Sequence, residues 1–101
     1  MAKLTVIYWR DIPAQLIGQQ GRKRTKKVLS ERFAAAIDRA AMRAGKGSST
    51  AYLEEWRRES RRCEGDIETA LKAEAERLEA AFPEDFLETV VKAGGIVNKE
   101  S

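Results

Sequence analysis

The sequence predicts a two-layer α+β fold, an antiparallel sheet of two or three strands covered on one side by two to three helices. Three observations carry this. Leu4 to Trp9 is a β-branched and aromatic run of strand composition. Residues 30–44 and 66–82 repeat apolar side chains at three- and four-residue steps, the period of a helix with one buried face. The short connection containing Pro13 suits an antiparallel hairpin of the first two strands. The 101 residues match one domain of common size, expected to span 1–97, with 98–101 a frayed tail.

The elements follow in order. In Leu4–Trp9, Leu4, Val6 and Tyr8 share one face, and Thr5, Ile7 and Trp9 share the other. A strand apolar on both faces belongs in the middle of a sheet. Pro13 restricts Ile12 and turns the chain. Ala14–Gln20 reads as a second strand, ended by Gly21, and the basic stretch Arg22 to Lys27 lies on a loop or strand edge. Ser30 is suited to cap a helix to Ala44, with Phe33, Ile37, Ala40, Ala41 and Ala44 on its buried face and Gly45 at its end. Residues 45–50 read as a loop. Residues 51–62 suit helix or edge strand: Leu53 and Trp56 fit helical spacing, whereas Tyr52, Glu54, Trp56 and Arg58 alternate. Helix is preferred, although a two-stranded sheet is marginal alone and pulls the other way. Asp66 caps a second long helix whose stripe is Ile67, Leu71, Ala75, Leu78 and Phe82. Pro83 opens a third, over 84–93, stopped at Gly94-Gly95.

Composition narrows the chemistry. There is no histidine and a single cysteine, Cys63. An internal disulfide, a Cys/His zinc site within one chain and a histidine-based triad are therefore excluded. No catalytic residue, metal ligand or cofactor is expected. No apolar run reaches the length of a membrane span, and the opening residues do not read as a signal peptide, so the expected location is the cytoplasm. Charge is uneven: residues 1–46 carry 11 Lys/Arg against 3 Asp/Glu, and residues 47–101 carry 8 against 13, leaving +3 overall.

Several groups invite a functional reading, each beside a plainer one. Arg22, Lys23, Arg24, Lys26 and Lys27 could take phosphate groups or an acidic protein, or could protect a sheet edge. Tyr8, Trp9 and Arg10 are the residue types that dominate interfaces, and Trp9 would lie on the sheet face that helices leave open. Trp56 beside Arg57 and Arg58 could stack on a ligand ring or pack in the core with Tyr52. Cys63 next to Arg61 and Arg62 could be activated but is more often inert. Glu54, Glu55, Glu59, Glu74, Glu76 and Glu79 read as solvated helix faces. Gly45-Lys46-Gly47 lacks the rest of a phosphate loop.

The string Val6-Ile7-Tyr8-Trp9-Arg10-Asp11-Ile12-Pro13-Ala14-Gln15, followed by Gly21-Arg22-Lys23, Arg32-Phe33, Ala36 to Met42 and Tyr52-Leu53-Glu54-Glu55-Trp56-Arg57, resembles a small family of bacterial proteins carrying a "virulence factor" domain. Relatives often have proline after Trp-Arg-Arg, where this chain has Glu59-Ser60-Arg61. The family name implies no chemistry. A frequent position beside methylenetetrahydrofolate reductase and corrinoid methyltransferase genes implies an accessory role in one-carbon metabolism.

The function expected is thus a non-catalytic accessory or partner-binding protein. Its contact surface would comprise Tyr8, Trp9, Arg10, Arg22, Lys23, Arg24, Lys26, Lys27 and Trp56. A protein partner is expected first, nucleic acid or another anion on residues 22–27 second, and a homo-oligomer is open. Trp9→Ala with Arg10→Ala should then abolish partner capture without altering circular dichroism. A small enzyme or ligand carrier using Tyr8, Lys26, Glu54 or Trp56 is a third class, which needs a pocket that desolvates one of them.

Overall fold

A computed structural model describes residues 2–45 and 49–97. The order is β1 (Ala2–Trp9), β2 (Ile12–Gln20), β3 (Lys23–Val28), α1 (Glu31–Arg43), α2 (Ser49–Glu54), β4 (Trp56–Cys63), α3 (Ile67–Ala81) and α4 (Glu84–Lys92). The sheet has four strands in the order β3-β2-β1-β4, all neighbours antiparallel. The α+β class stands, with one or two strands more than the sequence predicts.

The extra strands are the two segments that read ambiguously. The basic stretch is the edge strand β3, with Arg22 left in the preceding turn. Residues 51–62 divide: α2 ends at Glu54, and β4 pairs along the whole of β1 from Ala2↔Cys63 to Trp9↔Trp56. Helix preference is overruled because β1, apolar on both faces, needs a partner on each side. Residues 46–48 and 98–101, including Lys46, Gly47 and the expected tail, lie outside the described residues.

Helices α1 and α3 cover one face. Leu4, Val6 and Leu16 point into this layer and meet Phe33, Ile37, Ile67, Leu71, Leu78 and Val90 in one buried cluster. Gly18, opposite Leu4, brings the backbone of β2 against α3: a Cβ there would lie 2.5 Å from Ile67 Cγ1 and 2.9 Å from Leu71 Cδ1. Asp66 caps α3 as expected, its carboxylate accepting from Thr69 N at 3.0 Å. Ser30 does not cap α1 with its own hydroxyl; its amide and Oγ both donate to the Glu79 carboxylate, at 2.7 and 2.8 Å. Arg32 donates to the carbonyls of Glu79 and Phe82, which α3 leaves unpaired at its end. Glu79 is thereby a structural tie between helices and not simply a solvated carboxylate. Pro83 sits at the N-cap of α4, immediately before Glu84.

Candidate functional site: the open face of the sheet

Alternation divides the strand side chains between two faces. Ala2, Leu4, Val6, Tyr8, Leu16, Gly18, Gln20, Lys23, Thr25, Lys27, Arg57, Glu59, Arg61 and Cys63 fall on the helix side by register. The other face carries successive cross-strand rows. One is Arg62, Lys3, Gln19 and Arg24; the next is Ser60, Thr5, Ile17 and Lys26; the third is Arg58, Ile7, Gln15 and Val28. Trp56 follows at the start of β4. No Asp or Glu stands among these strand positions.

The two faces treat charge differently. On the helix side Lys23 pairs with Glu68, Arg57 with Asp11 and Glu59, and Arg61 with the buried Glu74; of the strand cations there, Lys27 alone lacks a described partner. On the open face Lys3, Arg24, Lys26, Arg58 and Arg62 are all exposed, and none has an ion-pair partner among the described residues. Between these cations the floor is mixed. Ile7 and Thr5 are covered by their neighbours, the Thr5 and Ser60 hydroxyls hydrogen-bond at 2.9 Å, and Val28 is 63% exposed. At one corner Ile7, Gln15, Trp56, Arg57 and Arg58 line a shallow, open hollow of about 340 Å³. Trp56 is half-buried there, steadied by an edge contact with Tyr52 at 5.7 Å between ring centres.

Trp9 is not on this surface, which corrects the sequence expectation. It is fully buried, stacks on Tyr52 at 5.8 Å and donates its indole N–H to the Tyr52 carbonyl at 2.9 Å. The register of β1 and β2 shifts between Ile7 and Tyr8. The extra residue, Ala14, lies in β2, while Trp9 stays paired with Trp56; Tyr52 and the Gly95 backbone close over the Trp9 ring. Arg10 is also committed internally. Its backbone has φ +54°, its Nη1 donates to Gly94 O at 3.0 Å, its Nη2 donates to Glu55 at 3.4 Å, and its amide donates to Glu55 O at 3.1 Å. Its Nε lies 3.3 Å from the Glu55 carboxylate without hydrogen-bond alignment. Asp11 receives Val97 N at 2.7 Å and Arg57 at 3.3 Å, and its own amide donates to Gly95 O at 2.9 Å. The Tyr8-Trp9-Arg10-Asp11-Ile12-Pro13 string is therefore a corner that ties β1, the start of β4 and the segment after α4.

Tyr8 lies on the helix side, half-buried, under the Arg57 guanidinium at 4.5 Å from the ring centre. Burial pushes its hydroxyl pKa up, and Glu59 adds to the effect. Burial likewise raises Tyr52. Glu74 is held below the ordinary carboxylate range by hydrogen bonds from Arg77, with Arg61 adding to it. Lys23 is raised by its bond to Glu68. Of the groups named for an enzyme or carrier, Tyr8 is behind the sheet, Lys26 is exposed on β3 and Glu54 is exposed on α2. The fold does not bring them together. Cys63 faces the helix side and packs on the core. A larger groove of about 500 Å³ between α1 and α4 carries charges of both signs, with Arg39 and Glu88 paired across it at 2.9 Å.

Of the expected contact residues, Arg24, Lys26 and Trp56 share the open face, whereas Lys23 and Lys27 sit behind it and Arg22 is in the turn. Lys3, Arg58 and Arg62 join them unforeseen, with Gln15 and Ile7. The signal was present in Arg58-Glu59-Ser60-Arg61-Arg62: read as a strand, it sets Arg58, Ser60 and Arg62 on one face and Glu59 with Arg61 on the other.

No helix among the described residues is long and apolar enough to cross a membrane, and no group of acidic or sulfur side chains among them is arranged for a metal. No curated protein and no solved structure matches the chain. A family model described as "Virulence factor" matches residues 7–91, a span that takes in β1 from Ile7 to the last turn of α4. The chain belongs to the virulence factor family.

Proposed function

We propose that this protein is a non-catalytic binding module that holds a polyanionic partner on the open face of its sheet. The observation that carries the reading is the division of charge. Helix-side strand cations other than Lys27 are paired with carboxylates of the same chain, and the open-face cations have no such partner among the described residues. Exposed like charges brought together by folding repel one another, so a surface of this kind gains from an external counter-charge. The absence of histidine from the sequence and the paired state of Glu74, Glu59 and Arg57 support binding over catalysis. An accessory role for such a module in one-carbon metabolism rests on the family resemblance alone.

The test is charge reversal at Lys26 and Arg58, which lie on opposite outer strands of the sheet. Both are exposed and have no ion-pair partner among the described residues, so substitution should move stability by no more than about 0.5 kcal/mol. Fluorescence anisotropy with labelled polyglutamate and labelled oligonucleotides at low salt should show binding by the wild type. Lys26→Glu with Arg58→Glu should abolish it. A wild type that binds neither polyanion, or a variant that binds as well as the wild type, refutes the reading.

A further inference from the structure

We infer that the polyanion is a single-stranded nucleic acid, one of whose bases enters the corner hollow formed by Ile7, Gln15, Trp56 and Arg58. This rests on the open-face reading above and adds to it a specific ligand class.

The hollow is where this face sets an aromatic ring beside an amide and a guanidinium. Its volume of about 340 Å³ is near the lower end of the range for small-molecule sites, which begins around 300 Å³. Its walls match the parts of a nucleotide. Ile7 supplies an apolar floor and Trp56 an indole face or edge, the kind of platform on which bases of any sequence stack. Gln15 carries both a carbonyl acceptor and an amide donor, the pair that can meet a base edge in two hydrogen bonds. Arg58 stands beside them with a planar guanidinium suited to bidentate phosphate binding. It has no ion-pair partner among the described residues.

The rest of the face extends the same fit. Arg58 and Arg62, four residues apart on β4, are separated by roughly 13 Å, and the outer strands β3 and β4 by roughly 14 Å. That patch accommodates on the order of four nucleotides, the small end of known single-strand sites. Lys3, Arg24 and Lys26 complete the cation set, and Ser60 and Gln19 supply exposed neutral polar groups between them. A duplex fits less well, because the flat face presents no helix or ribbon to enter a groove. An acidic polypeptide would answer the cations but leave the hollow and its indole unused.

The experiment compares three labelled polyanions of similar charge with the intact protein: a ten-nucleotide single strand, the same strand with abasic sites throughout, and polyglutamate. The base-bearing strand should bind about tenfold or more tighter than the abasic one, as one stacked base predicts. Its affinity should fall about 100-fold from roughly 50 to 200 mM salt, the slope expected for about five neutralised phosphates on a single strand. Trp56 emission should be quenched on binding, against a constant background from the buried Trp9. Trp56→Phe should retain most of the preference for bases, and Gln15→Leu should weaken discrimination among homopolymers. Equal binding of the base-bearing and abasic strands, or preference for polyglutamate, overturns the nucleic-acid inference while leaving the open-face reading intact. Failure of all three probes to bind overturns both.

Discussion

Trp9→Ala separates a structural corner from a contact surface. Trp9 is 0% exposed, its ring packs on Tyr52, and Gly95 approaches so closely that a Cβ there would lie 2.9 Å from Cζ3. Truncating a buried Trp costs about 3–5 kcal/mol. Here it also strips the Tyr52 carbonyl of its indole donor at 2.9 Å. Set against a total stability of about 5–15 kcal/mol for a small domain, this is a large share. At roughly 4–8 °C per kcal/mol the melting temperature should fall by at least about 12 °C. Urea denaturation followed by circular dichroism and near-ultraviolet spectra would read the loss directly. Trp9→Phe, which keeps most of the buried ring but not the N–H, should lose less, about 1–3 kcal/mol. Gly95→Ala should act on the same corner from the other side, since it meets the indole and its backbone sits at φ +94°. A Trp9→Ala protein with an unchanged urea midpoint would refute the corner as described and restore Trp9 to the set of possible contact residues.

Gly18→Ala should destabilise by about 1–3 kcal/mol through overpacking against Ile67 and Leu71; Ile67→Ala in the same chain should cost less than the sum of the two single changes, and strict additivity in denaturant melts would argue against this contact. Glu74 gives a pH dependence. Its folded pKa is depressed, mainly by the Arg77 hydrogen bonds, so its stabilisation is complete above the ordinary glutamate value and fades as pH falls through the lower folded value. Acid titration of stability should therefore be shallower in Glu74→Gln than in the wild type over that window, and parallel acid limbs would count against the pair.

The family string from Tyr8 to Pro13 stands out in the sequence as aromatic and basic, the composition of an interface. Composition alone does not distinguish an anchor for another molecule from an anchor for the chain's own terminus. The partners that decide it, Tyr52, Glu55, Gly94, Gly95 and Val97, lie more than forty residues away.

By itself the chain determined the central strand β1, the helices with their apolar stripes, the Asp66 cap and the want of histidine-based chemistry, because each depends on local periodicity or on which side chains exist. Tertiary structure alone decided that residues 56–63 form β4, since the bare side of β1 requires a strand that local helical preference does not favour. It also decided the candidate site. Lys3, Lys26, Arg58 and Arg62 become one surface only when pairing register sets them on the same face, and only the fold reveals which cations already have a carboxylate beside them.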